Sequence, residues 1–202
     1  MCKQTDHGIT EYAVSPEDVA AALSNTVVFD SGLLGGNTLC VRSEGARRTV
    51  VEYRPRQKTP LWLEGSDDAL HVPLPGLLMI RTTTANRDPQ YEVYAVTERP
   101  ASYNAPLYHA PLPNIFSSGG ICWGTVTKVK PEELTGNDLS ADWSQLLSTP
   151  FGNHSVSGKC VSHRDDIRKL YVELEQRRSR VYPRKELIPV RKTLGNVLGV
   201  SA

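Results

Sequence analysis

The sequence predicts an α+β domain, an antiparallel meander of strands with helices packed on one face or at its ends. Three observations carry this. Short apolar or alternating runs, punctuated by Gly, Asn and Asp, fill the chain up to Val96. A proline-rich stretch without periodicity follows, from Thr97 to Pro113. The clearest helical spacing comes late, over Asp165–Arg178, where Ile167, Leu170, Tyr171 and Leu174 recur on one face.

Residues 1–14 read as an N-terminal leader or edge strand. Ser15-Pro16-Glu17-Asp18 opens a short helix: Ser15 caps it, Pro16 takes the first helical position, and the acids suit its dipole. That helix is expected to end near Asn25, with a strand at Thr26–Phe29. Asp30-Ser31-Gly32 and Gly35-Gly36-Asn37 are turns. Strands are expected at Thr38–Val41 and Arg48–Tyr53. In the latter, Thr49, Val51 and Tyr53 share one face, as a half-buried antiparallel strand requires. Gly76–Thr83 is almost wholly apolar at its start and is expected to be central. Gln90–Val96 pairs with it across Ala85–Pro89.

From Thr97 to Pro113, prolines at 100, 106, 111 and 113 predict a stiff extended loop. Thr125–Val129 is a candidate strand, and a helix or turn begins at Lys130. Ser140–Leu147 is a short helix with Trp143, Leu146 and Leu147 on one side. Pro150–Lys159 reads as a loop. The domain is thus expected over 15–180, with 181–202 as a basic C-terminal tail.

At 202 residues the chain suits one domain with extensions and buries a core without disulfides or metals. A net charge of +1 argues against global attraction to nucleic acid. From His163 onward, however, ten Lys or Arg face five Asp or Glu. A solvated helix face and tail is the plainer reading of that excess; a docking surface for an acidic partner, or weak nucleic-acid contact, is the sharper one. The longest apolar runs are too short to cross a bilayer, and no signal pattern opens the chain, so a cytoplasmic protein without membrane contact is expected. Cys2, Cys40, Cys122 and Cys160 match no disulfide framework. No cofactor is expected.

The chemistry concentrates between Tyr108 and Gly124. Asn114 lies eight residues before Cys122, in the run Pro113-Asn114-Ile115 … Gly119-Gly120-Ile121-Cys122. A thiolate takes over an acyl group by thioester exchange and splits a hard transfer into two easier steps. A side-chain amide aimed at the tetrahedral adduct stabilises its oxyanion, a contribution of ~10²–10³ in rate elsewhere. Asn114 is the candidate donor, braced by Pro111 and Pro113. His109 is close enough in sequence to approach the thiol. Gly119, Gly120 and Gly124 would let a substrate backbone near the sulfur. The plainer readings are a packed thiol at Cys122 and a turn residue at Asn114.

Leu112-Pro113-Asn114-Ile115, three residues, then Gly119-Gly120-Ile121-Cys122 resembles the signature of ubiquitin-conjugating (E2) enzymes, His-Pro-Asn-Ile … Gly-x-Ile/Val-Cys. The wider stretch, Val72–Leu78 through Tyr94-Ala95-Val96 and Pro100 to Cys122-Trp123-Gly124, is similar to a bacterial branch, prokaryotic E2 family D, which includes the PRTRC system protein B. Trp143–Phe151 is similar as well. The resemblance implies an E2/UBC-like fold: a four-stranded antiparallel meander flanked by helices, with the active cysteine on a long irregular loop. It implies that Cys122 receives a ubiquitin-like protein from an E1-like enzyme as a thioester and passes it to an acceptor, with Asn114 in the oxyanion or loop-ordering role. The genes of this branch keep company with E1-like, ubiquitin-like and deubiquitinase-like partners, some in antiviral or mobile-element operons. Leu112 stands where the signature has histidine, Trp123 where an aliphatic residue is usual, and His109 is a candidate to compensate.

Other chemistries remain open from the residues. A non-catalytic E2-like adaptor would keep the fold without carrying the partner. A cysteine hydrolase would need a histidine base beside the thiol, from His71, His109, His154 or His163. His154, Cys160 and His163, with Cys2 or Cys40, could form a zinc site, although the spacing misses the established patterns.

Overall fold

The computed structural model describes residues 2–5, 8–11, 15–16, 31–84, 86–124 and 136–200. Most of the helix expected from Ser15 lies outside them. So do the strands expected at Thr26–Phe29 and Thr125–Val129 and the element beginning at Lys130. The chain divides into two compact units, Met1–Gly32 and Leu33–Ala202.

In the first unit, β1 (Cys2–Thr5) and β2 (Gly8–Glu11) form a two-stranded antiparallel sheet of their own. The second unit is built on an antiparallel sheet of β3 (Thr38–Glu44), β4 (Arg47–Arg54), β7 (Gly76–Thr84), β8 (Arg87–Val96), β9 (Pro106–His109) and β10 (Pro189–Thr193). Their spatial order is β3-β4-β7-β8-β9-β10. Between β4 and β7 the chain makes a separate hairpin of β5 (Gln57–Leu61) and β6 (Leu70–Leu74).

The central place expected for Gly76–Thr83 follows from both faces being covered. Leu77 and Met79 enter one hydrophobic cluster, and Leu78 and Ile80 enter a second on the opposite face. The same alternation divides Val93 and Ala95 from Tyr94 and Val96 on β8. β4 was expected to be half-buried. Instead Thr49, Val50, Val51 and Glu52 are all buried, because Val50 joins the first cluster and Val51 the second. The turn between β7 and β8 is tighter than the Ala85–Pro89 loop expected. Asn86 takes φ 59°, and Thr84 faces Arg87. A register shift between Thr82 and Thr84 accompanies Pro89, which has no N–H to give the ladder.

The first cluster is covered by α1 (Ser140–Ser148) and α2 (Ile167–Gln176). Both helices lie where the spacing predicts them. Trp143, Leu146 and Leu147 are buried on α1; Ile167, Leu170, Tyr171 and Leu174 are buried on α2. Asp166 caps α2 by accepting from the Arg168 N–H. The second cluster is covered by residues of β10 and the short helix α3 (Leu194–Leu198), with Leu194 buried and Val190, Val197 and Leu198 packed against it.

Two expectations change here. Among the described residues the sheet has six strands where four were expected. The two beyond the β3-β4-β7-β8 core come from segments read as irregular: β9 within the proline-rich stretch, and β10 within the stretch read as a tail. β9 is short because Pro106 and Pro111 bracket it.

Candidate functional site

After β9 the chain leaves the sheet through Ala110, Pro111, Leu112 and Pro113, all buried. Leu112 is fully buried in the first cluster. The Tyr171 hydroxyl of α2 donates to the Pro111 carbonyl. The prolines fix φ, and the helix fixes the position of the loop's entry.

Asn114 follows in the left-handed region, at φ 60°. Asn tolerates that conformation better than any residue but glycine. Its backbone is held on both sides. Its N–H donates to the His154 carbonyl at 2.9 Å, and its carbonyl accepts from the Cys122 N–H at 2.7 Å. One residue on, the Ile115 carbonyl accepts from the Ser155 hydroxyl at 2.6 Å and from the Lys159 ammonium. The Asn114 side-chain oxygen is buried and has no hydrogen-bond partner among the described residues.

Between Asn114 and Cys122 the loop closes as a small hairpin. Ile115 faces Ile121, the Phe116 N–H donates to the Gly120 carbonyl at 2.8 Å, and the Gly119 N–H donates to the Phe116 carbonyl at 2.9 Å. The hairpin is tied to β8 by the Val93 N–H on the Gly119 carbonyl at 2.8 Å and by the Tyr94 hydroxyl on the Ser118 carbonyl at 2.6 Å. Its tip is open to solvent: Phe116, 48% exposed, Ser117 and Ser118. Cys122 is partly exposed.

Beside the thiol, Trp123 meets Tyr91 edge-to-face, with ring centroids 5.3 Å apart. Tyr91 donates to Asp142 of α1 at 2.7 Å, and Asp142 pairs with the buried Arg81 of β7 at 2.8 Å. Burial and the hydrogen bond to Asp142 push the Tyr91 phenol well up from its ordinary value, so it stays a donor. The residue next to the thiol is thereby coupled to the core.

The site thus presents a half-open cysteine whose backbone N–H is bonded to an asparagine held in a strained conformation, at the end of a proline-braced loop. In the comparison with known proteins, the family model of prokaryotic E2 family D matches residues 17–190. The chain belongs to prokaryotic E2 family D. Searches of curated proteins and of solved structures return no match. Membership in prokaryotic E2 family D carries a general E2-like role, and the antiparallel sheet with few helices is compatible with an E2-like fold. No helix among the described residues is long and apolar enough to cross a membrane.

In this family D chain the structure joins two of the three candidate residues, Cys122 and Asn114, through their backbones. His109 stands apart. It is half-buried on β9, its N–H donates to the Ile188 carbonyl at 3.0 Å, and among the described residues no hydrogen bond joins its ring to Cys122. Burial, and then the charge of Lys159, hold its pKa below the ordinary value, so its ring is neutral at pH 7. The other histidines are engaged or positioned differently. His163 bonds Glu173 at 2.7 Å, His71 lies 4.0 Å from Glu175, and His154 serves through its carbonyl. Cys160, proposed with His154 and His163 as metal ligands, is buried, and its thiol donates to the His163 carbonyl at 3.2 Å. Among the described residues no group of three or more His, Cys, Asp or Glu could hold a metal ion.

Gly119 acts differently from the expectation. A Cβ on Gly119 would stand 2.6 Å from the Tyr94 ring, and its φ is +97°. Glycine is required there for the close approach of Tyr94 rather than of a substrate. Gly124, at φ +58°, has open space where a Cβ would be. Sequence reading also missed Ser155, Lys159, Tyr94, Asp142 and Arg81. The one local hint was Lys159 itself, a lysine between Gly158 and Cys160 in a stretch read as loop.

Proposed function

We propose that the protein is an E2-like conjugating enzyme in which Cys122 carries a ubiquitin-like protein as a thioester. The Cys122 sulfur attacks the thioester carbonyl held by an E1-like enzyme. The new C–S bond forms, the E1-side C–S bond breaks, and the E1 thiol takes the proton that Cys122 gives up. An acceptor nucleophile then attacks the same carbonyl carbon, and Cys122 leaves and regains a proton. Asn114 offers its amide to the oxyanion of the adduct formed in this second attack.

The observation that carries the reading is the bond from the Cys122 N–H to the Asn114 carbonyl. It ties the thiol and the carboxamide into one short hairpin, while the Asn114 side-chain oxygen has no bond that would have to break before the amide turns. The exposed tip, Phe116 to Ser118, gives an extended protein tail room to reach the sulfur. His109 has no part in proton transfer in this reading.

The test is co-incubation with ATP, the E1-like enzyme and the ubiquitin-like protein of the same operon, resolved on a non-reducing gel. A thiol-sensitive adduct is expected in wild type and none in Cys122→Ala. Binding of the ubiquitin-like protein without any adduct would instead make the chain an adaptor.

A further inference from the structure

Lys159 is 2% exposed, yet no carboxylate lies within ion-pair distance of it among the described residues. A buried ammonium is costly even when paired, and a methionine would fill the same volume without that cost. Burial pulls its pKa down to about 8. Its hydrogen-bond partner is the Ile115 carbonyl, which the Ser155 hydroxyl also holds. Two residues upstream of Ile115 the buried Pro113 limits the chain, and Asn114 between them is held at φ 60° with its N–H on His154. The segment from His154 to Lys159 therefore grips the N–H of Asn114 and the carbonyl of the next residue. The rotation of the Asn114 unit is confined between those two grips.

We propose that Lys159 is a positioning residue: its ammonium, with the Ser155 hydroxyl, fixes the Ile115 carbonyl and so aims the Asn114 carboxamide at the adduct on Cys122. The catalytic part of this rests on the thioester reading above; the structural part does not. A second consequence is electrostatic. Burial is the larger cause of the lowered His109 pKa, and the charge of the ammonium adds to it.

Lys159→Met in the full chain is the test, since it keeps volume and removes both the donor and the charge. Without any partner, the variant is expected to melt no lower than wild type. The Asn114 side-chain NH₂ resonances are expected to shift or broaden, and the His109 titration to move up. With partners, loading of Cys122 is expected to stay within about twofold, while single-turnover discharge slows about tenfold or more, as displacement of a positioned group does. Asn114→Ala is expected to slow the same step, and the double variant to be no slower than the slower single one. Ser155→Ala, which removes the other donor and leaves the charge in place, is expected to fall between wild type and Lys159→Met.

A lower melting point with loading and discharge falling together would reduce Lys159 to a structural role and overturn the proposal. So would unchanged Asn114 resonances. If wild type itself forms no thioester, the functional reading fails, and the resonance and melting measurements still decide the placement of Asn114 by Lys159.

Discussion

The Asn114–Cys122 hairpin and the stretch from Tyr182 to Leu198 both lack the spacing of a regular element, and the fold holds them in different ways. The hairpin closes on itself through three backbone bonds, Phe116 with Gly120, Gly119 with Phe116 and Cys122 with Asn114, and is then pinned from outside by His154, Ser155, Lys159, Val93 and Tyr94. The C-terminal stretch is held largely by distant residues. Ile188 accepts from His109, Leu194 donates to Ala105, Gly195 donates to Tyr103, and Arg42 reaches the Leu198 carbonyl at 2.8 Å. One region is a local device that the rest of the fold supports. The other is a lid over the second hydrophobic cluster that exists only because the sheet is already there.

Removing a contact of the lid is expected to have the largest effect on stability. Leu194 is buried among Val51, Leu78, Tyr94 and their neighbours in that cluster. Leu194→Ala is expected to cost about 3 kcal/mol, in the range for a buried leucine that leaves a partly collapsed cavity. Urea unfolding measures it. A change under about 0.5 kcal/mol, the size of an ordinary surface substitution, would mean that α3 merely rests on the surface.

The hairpin is expected to fail by clash rather than by cavity. Gly119→Ala puts a Cβ 2.6 Å from a tyrosine ring that is itself buried, at a φ of +97°. The cost is expected to be about 2 kcal/mol, from overpacking and backbone strain together. In contrast to Leu194→Ala, it should alter the reactivity of Cys122 toward a small alkylating probe, because the hairpin carries the thiol. Equal alkylation rates in wild type and variant would show that the hairpin and the thiol are not mechanically linked.

These two regions also explain what was legible beforehand. Pro111, Pro113, Asn114 and Gly119 state their conformational needs in their own covalent structure, so a stiff loop with a turn at Asn114 could be read residue by residue. The helices α1 and α2 were legible because Trp143, Leu146 and Leu147, and Ile167, Leu170, Tyr171 and Leu174, repeat at helical spacing. β10 is Pro189 to Thr193, with four of its five residues proline, charged or hydroxylated, and it belongs to the sheet only through pairing with β9, about eighty residues earlier in the chain. Lys159 was unreadable for the same reason. Its partner carbonyl lies 44 residues away, and no spacing marks a buried ammonium.

The finest discrimination between the two regions comes from pH, because Lys159 beneath the hairpin is a buried cation, whereas burial holds Cys40 and Tyr94 of the second cluster in their protonated, neutral forms. Its pKa is about 8 in the folded chain against an ordinary 10.5. Below pH 8 both folded and unfolded chains carry the proton, and the full penalty of burying the charge is present. Between pH 8 and about 10.5 the unfolded chain holds more protons than the folded one, so stability rises with pH. The rise approaches about 1.4 kcal/mol per pH unit at its steepest. Tyr91, Tyr94 and Tyr182 act in the reverse direction above pH 10, because burial holds their phenols protonated. The difference between wild type and Lys159→Met cancels them. Urea midpoints of the two proteins at pH 7, 8, 9 and 10 should therefore converge or cross as pH increases, whereas Leu194→Ala should run parallel to wild type throughout. Parallel curves for Lys159→Met would mean that the ammonium is solvated in the folded chain, and the grip on Ile115 would then have to come from Ser155 alone.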